Sequence, residues 1–133
     1  MSSLNVSEQG GTFYDEIGGF ETMRRIVARF YAGVASDEVL RPLYPEEDLA
    51  PAEERFLLFL VQYWGGPTTY GDTRGHPRLR MRHAPFAVTP DAKDRWLVHF
   101  RAGLDEVELT PAQDQRFWEY VTHAAQFMVN TLE

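Results

Sequence analysis

Met23, Ile26, Val27, Phe30, Tyr31 and Val34 recur at the i, i+3, i+4, i+7 spacing that gathers side chains on one face of a helix. The pattern repeats three times. Phe56, Phe59, Leu60 and Tyr63 make a second stripe. Trp96, Phe100, Gly103, Leu104 and Val107 make a third, and Phe117, Val121, Ala124, Ala125 and Met128 a fourth. No stretch alternates apolar and polar residues as a half-buried strand does. The chain is therefore expected to be all-α, built on four substantial amphipathic helices.

Start and stop signals bound these windows. The first helix is expected over about 20–35, after a short turn at 13–17 that Gly18-Gly19 stops. Pro42 and Pro45 make 36–50 a turn-rich connector. Pro51 suits the first turn of the second helix, and Glu53-Glu54 suit its positive end. Gly65-Gly66-Pro67 terminates it. Thr89-Pro90 opens the third helix. Thr110-Pro111-Ala112-Gln113 has the capping-box pattern and opens the fourth. Residues 67–78 read as a loop, followed by a short turn over 79–84 that Pro85 closes. Residues 1–12 read as a polar tail and 13–133 as one domain, with no internal repeat.

Composition narrows the function. The 9 Phe, 6 Tyr and 3 Trp are many for 133 residues, so either the core is aromatic or a flat apolar guest is enclosed. A net charge of −7 argues against a nucleic-acid or anionic-membrane surface. The chain has no Cys, which removes disulfides, thiolate metal sites and cysteine nucleophiles. No apolar run is long enough for a membrane span. The N-terminus lacks the basic region and apolar core of a signal peptide, so a cytoplasmic location is expected.

Against that acidic background, Arg74, Arg78, Arg80 and Arg82 cluster just before His83, in a segment that ends in an apolar corner at Ala84-Pro85-Phe86. A neutral imidazole is a good iron ligand, and arginines suit the carboxylates of a haem. Without cysteine, such a haem would be held non-covalently. Taken singly, His83 reads more readily as a surface histidine in a basic stretch than as a ligand. His76 precedes Pro77, His99 sits beside Phe100, and His123 is expected to face solvent. No His-Glu-x-x-His pair is present, which argues against a zinc hydrolase.

Tyr31, Tyr44 and Trp96 each fit a packing role, but together they bring three hydrogen-bond donors to apolar surroundings. A buried donor without a partner costs about 1–3 kcal/mol, and a bound diatomic ligand could be the shared partner. Arg55 and Arg82 could pair with haem propionates or remain solvated. Gly65-Gly66 and Gly71 do not make a phosphate loop, because no Lys-Ser/Thr follows and no helix is expected to begin there. No Gly-x-Ser-x-Gly supports a serine triad.

Several motifs then carry a resemblance. They are Phe13-Tyr14-Asp15 with Gly18-Gly19, Arg29-Phe30-Tyr31, Leu43-Tyr44-Pro45-Glu46 and Ala52-Glu53-Glu54-Arg55. Gln62-Tyr63-Trp64-Gly65-Gly66-Pro67, the 75–86 segment and Trp96 complete the set. The chain resembles the group II truncated haemoglobins, the bacterial type often called haemoglobin O, from residue 13 to about 130. The resemblance implies a 2-over-2 helical sandwich enclosing haem b, with His83 as the iron ligand. It implies that Tyr31, Tyr44 and Trp96 stabilise bound dioxygen. It implies further cofactor contacts from Phe30, Arg55, Phe59, Leu60, Tyr70, Leu79, Met81, Arg82 and Phe86. Ala52 would stand where many globins carry a distal histidine, leaving an opening for ligands. Phe56 departs from the smaller aliphatic residue common at its position.

Three functional classes follow. One is redox chemistry on a slowly released dioxygen complex, such as nitric oxide dioxygenation or peroxide handling, with an external reductase because no flavin domain lies in this sequence. A second is a non-catalytic oxygen or sulfide carrier or sensor, with homo-oligomerisation left open. The third is a helical interaction domain without haem.

Overall fold

The computed structural model describes residues 12–78, 82–83 and 87–131. Among these residues there is no strand, and the order is α1 (Phe13–Glu16), α2 (Gly19–Val34), a 3-10 turn (Arg41–Leu43), α3 (Ala50–Tyr63), α4 (Thr69–Arg74), α5 (Pro90–Asp105) and α6 (Pro111–Met128). The all-α expectation and its four main windows hold.

The helix starts follow from side chains that can accept a backbone proton. Thr89 Oγ1 accepts from Ala92 N–H at 3.0 Å, with Pro90 in the first turn. At Thr110 the box closes both ways: its Oγ1 accepts from Gln113 N–H at 3.1 Å, and Gln113 Oε1 accepts from Thr110 N–H at 3.0 Å. Thr12 caps α1 in the same manner. Each cap contributes about 1 kcal/mol. Between α1 and α2 the chain turns through left-handed backbone at Gly18 (φ +112°) and Gly19 (φ +69°), which only glycine adopts cheaply.

α2 packs along α5, with α3 beside α2 and α6 beside α5, which gives two helices over two. Phe30, Phe100, Phe117, Met23, Ile26 and Leu104 are fully buried where the pairs meet. Aromatic contacts tie the layers together: Trp96 stacks on Phe100 at 5.3 Å, Phe100 meets Phe117 at 5.6 Å, and Phe13 meets Trp64 at 4.4 Å. α2 and α5 pack tightly at Gly103, where an added Cβ would lie 2.6 Å from the carbonyl oxygen of Ile26. Backbone cannot yield as a side-chain tip can. Gly103→Ala is therefore expected to destabilise the fold by about 1–3 kcal/mol despite alanine's better helix propensity. Denaturant unfolding checks this, and a stabilised variant would contradict it.

Two expectations require correction. The 67–78 stretch is not all loop, because α4 lies within it and begins at Thr69. Buried Tyr70 anchors that helix, and Gln62 Oε1 accepts from Gly71 N–H at 2.7 Å, so tertiary contacts override its poor local propensity. The stripe assigned to α3 is also not one core face. Leu57, Leu60, Val61 and Trp64 face the core, Phe56 and Phe59 are half-buried, and Tyr63 is 49% exposed and stacks on Tyr120. α3 is apolar on two sides because the core lies on one and a cavity on the other.

The connector after α2 is held by one carboxylate. Asp37 Oδ1 accepts from the N–H groups of Val39 (2.9 Å) and Leu40 (3.0 Å), and its Oδ2 accepts from His99 Nε2 at 2.7 Å. Burial acts to raise the Asp37 carboxyl, but the hydrogen bonds from His99, Leu40 and Val39 and the nearby Arg95 charge outweigh it. They hold the group at about 2, below its ordinary 3.8. A carboxyl lowered by folding gives stability that is present above the unfolded value and is lost as pH falls through the folded one. Between about pH 4 and pH 2 the parent should therefore lose stability that Asp37→Asn never had. Denaturant midpoints followed across that window test it, and parallel curves would refute it.

Candidate functional site

A cavity of about 500 Å³ opens between α3, α5, α6 and the connector, within the range of about 300–1,000 Å³ usual for ligand sites. It brings together His83, Tyr31, Tyr44 and Trp96, which lie far apart in sequence. α2 supplies Tyr31 from the end of its apolar stripe. The 3-10 turn delivers Tyr44, and the first half of α5 supplies Trp96.

Tyr31 is 6% exposed, and its hydroxyl donates to the carbonyl of Ala52 across a long 3.4 Å. Its ring meets that of Tyr44 edge-on at 5.7 Å. Burial drives the Tyr31 hydroxyl far above the usual phenol range, and the Tyr44 hydroxyl beside it adds to the shift. Burial also raises Tyr44, while Tyr31 and Arg55 pull it the other way. Both hydroxyls therefore stay protonated and able to donate. Ala52, in the first turn of α3, is buried and lines the same cavity with no polar side chain.

Phe30 is fully buried behind this wall rather than in it. It packs edge-on against Tyr31 (4.9 Å), Trp96 (5.0 Å) and Phe56 (5.4 Å). Phe30, expected as a cofactor contact, is thus not among the residues that line the cavity but packs against three that do. Phe56 itself lines the cavity, as do Phe59, Leu60 and Tyr70. Phe59 and Tyr70 meet edge-on at 5.7 Å.

Cationic side chains gather on the same cavity. Arg55 Nη2 donates to Glu46 Oε2 at 2.8 Å, and that bond with the neighbouring positive charge lowers the Glu46 carboxyl. Among the described residues, the other carboxylate oxygen, Glu46 Oε1, is buried without a hydrogen-bond partner. Arg82 Nε donates to the Pro77 carbonyl at 2.6 Å, and its Nη2 donates to the Arg74 carbonyl at 3.1 Å. These bonds tie Arg82 to Arg74 and Pro77, and Arg74, Arg82 and exposed His83 all line the cavity. The His83 carbonyl accepts from Asn130 Nδ2 at 3.3 Å, tying His83 to the segment just after α6. Leu79, Met81 and Phe86, expected as cofactor contacts, lie outside the described residues.

Several lining residues escaped sequence reasoning. Lys93 lies one turn before Trp96 on α5, so the i, i+3 relation could have placed it there. Tyr120, Ala124 and Met128 share one face of α6 at i, i+4, i+8. Only the last two read as inward, because Tyr120 sits beside the stripe.

The donor set fits a haem. Apolar walls suit a flat macrocycle, one imidazole suits its iron, and arginines with Lys93 suit its carboxylates. The described residues hold no group of three or more histidines, cysteines or carboxylates suited to a bare metal ion. No helix among them is long and apolar enough to cross a membrane.

Comparison with known proteins agrees with this geometry. The bacterial-like globin family matches residues 12–130. The group 2 truncated hemoglobin YjbI of Bacillus subtilis is 37% identical over 90% of this chain and 89% of its own length. The thermostable hemoglobin of Thermobifida fusca superposes with a TM-score of 0.90 at 58% identity, covering 92% of this chain and all of that one. The truncated oxygen-avid haemoglobin of Bacillus subtilis superposes at 0.84 with 36% identity, covering 90% of this chain and 100% of its own.

Proposed function

The chain belongs to the bacterial-like globin family as a group II truncated haemoglobin, and from that premise we propose that it carries haem b on His83 and holds dioxygen with slow release in the service of redox chemistry. Haem-based ligand binding is the family's general property. The observation that supports the finer reading is the convergence of Tyr31, Tyr44 and Trp96 on the cavity that His83 also lines.

When bound, haem supplies the iron that takes a diatomic ligand. The rest falls to the chain. His83 offers its imidazole, and Arg82, Arg74 and Arg55 offer charge to the carboxylates. Tyr31 and Tyr44 keep their protons because burial disfavours the phenolate, so they present donors rather than charge to the ligand. Donors fixed in an apolar-walled cavity act on a polarised oxygen more strongly than they would in water. The rings of Phe30 and Phe56 pack against Tyr31 and Trp96 and hold them in place, so little rearrangement is needed on binding.

Tight holding favours chemistry over delivery. Nitric oxide dioxygenation or peroxide handling, with electrons from a separate reductase, uses a complex that releases its oxygen slowly. The name of the oxygen-avid Bacillus subtilis relative points the same way. Nitric oxide consumption under air with a chemical reductant is the test. Sustained turnover, many equivalents per chain, is expected. A single stoichiometric reaction that then stops would favour the carrier or sensor instead.

A further inference from the structure

His99 lies outside the cavity lining, yet it joins the two elements that carry Tyr44 and Trp96 into it. Its Nε2 donates to Asp37 Oδ2 at 2.7 Å, and Arg95 Nη1, one turn earlier on α5, donates to Asp37 Oδ1 at 3.3 Å. Trp96 follows Arg95 directly. Asp37 is only 6% exposed at its side chain, and its remaining acceptor capacity goes to Val39 and Leu40 N–H. The carboxylate therefore grips α5 on one side and the connector on the other.

The grip continues along the connector. Arg41 N–H donates to the Asp37 carbonyl at 2.9 Å. The Arg41 guanidinium then donates to the carbonyls of Tyr44 (3.2 Å), Glu46 (2.9 Å) and Glu47 (2.7 Å). An unbroken series of hydrogen bonds thus runs from His99 to the backbone of Tyr44. On its other side the imidazole has no slack. A Cβ on Gly33 would lie 2.2 Å from His99 Nδ1, so the ring rests directly on the α2 backbone.

We propose that His99 is a positioning residue for the ligand side of the cavity, setting through Asp37 where Tyr44 stands relative to Trp96. The proposal rests on the haem reading above. It predicts that loosening His99 alters the hydrogen bonds offered to a bound ligand without touching a residue that lines the cavity. It also makes Gly33 a specificity position, because any side chain there pushes the imidazole off Asp37.

Three variants of the haem-loaded protein test it: His99→Leu, His99→Gln and Gly33→Ala. Three readouts apply: the dioxygen release rate, the C–O stretching frequency of the carbon monoxide complex, and amide exchange at Val39 and Leu40. His99→Leu and Gly33→Ala are expected to speed release about five- to tenfold, the size of one weakened hydrogen bond. They should also shift or broaden the C–O band and speed exchange at both amides. His99→Gln keeps an N–H donor of similar reach and should return all three toward the parent.

A His99→Leu protein that melts earlier but keeps the parental release rate and C–O band would overturn the proposal, leaving His99 as a structural tie alone. If His99→Leu fails to fold, Gly33→Ala decides the matter by the same readouts, since it removes no polar group. A parent that takes up no haem would defeat the underlying reading. In that event unchanged amide exchange in the variants would separately defeat the clamp.

Discussion

Replacing His83 by alanine is expected to abolish stable haem retention while leaving the helical fold intact. His83 is an exposed residue held by backbone bonds around it, namely Asn130 to its carbonyl and Arg82 to the carbonyls of Pro77 and Arg74. Its removal therefore takes away the proposed iron ligand without opening the core. The other described histidines cannot stand in. His76 Nδ1 accepts from Arg78 N–H at 3.0 Å, His99 is committed to Asp37, and none of His76, His99 and His123 lines the cavity. Loss of the Soret band with unchanged far-ultraviolet circular dichroism is the predicted outcome. Free imidazole should restore much of the band by filling the vacated position. A His83→Ala protein with a parental spectrum would move the iron ligand elsewhere in the chain.

The second large effect concerns the three donors. A hydrogen bond to a charged or strongly polarised partner is worth about 1.5–3 kcal/mol, and about 1.4 kcal/mol is a factor of ten in rate. Trp96→Phe is expected to speed dioxygen release about tenfold or more, and Tyr44→Phe by a similar factor. The combined variant should reach about a hundredfold or more if the two act independently. Tyr31 will not add in the same way, because its hydroxyl interacts directly with that of Tyr44 and with the Ala52 carbonyl. Removing Tyr31 changes what Tyr44 offers, so the Tyr31–Tyr44 pair should show a coupling energy where Tyr44–Trp96 shows little. Stopped-flow release from single and double variants measures both. Parental rates in Trp96→Phe and Tyr44→Phe would remove those residues from ligand stabilisation.

Much of this fold was legible because its signals are local. The α2 stripe, the Thr89 and Thr110 caps and the Gly18-Gly19 turn each depend on residues within a few positions, and each forms as expected. What the sequence hid depends on distant partners. α4 exists because Tyr70 is buried and Gln62 meets Gly71, and no local pattern announces either contact. Phe30 and Phe56 sit alike in their stripes, yet one is core and the other lines the cavity, since only packing decides which side of a doubly apolar wall a ring faces. His99 read as an unremarkable neighbour of Phe100, because its role depends on Asp37, which is 62 positions away in the chain.

Haem titration of the purified protein tests the central claim most directly, followed by absorption spectra of the reduced form with and without carbon monoxide. The account predicts uptake of one haem per chain, a Soret band that sharpens and shifts with carbon monoxide, and a ligand side open enough to take the gas without displacing a protein ligand. Failure to bind haem, or a reduced spectrum that carbon monoxide does not change, would contradict it.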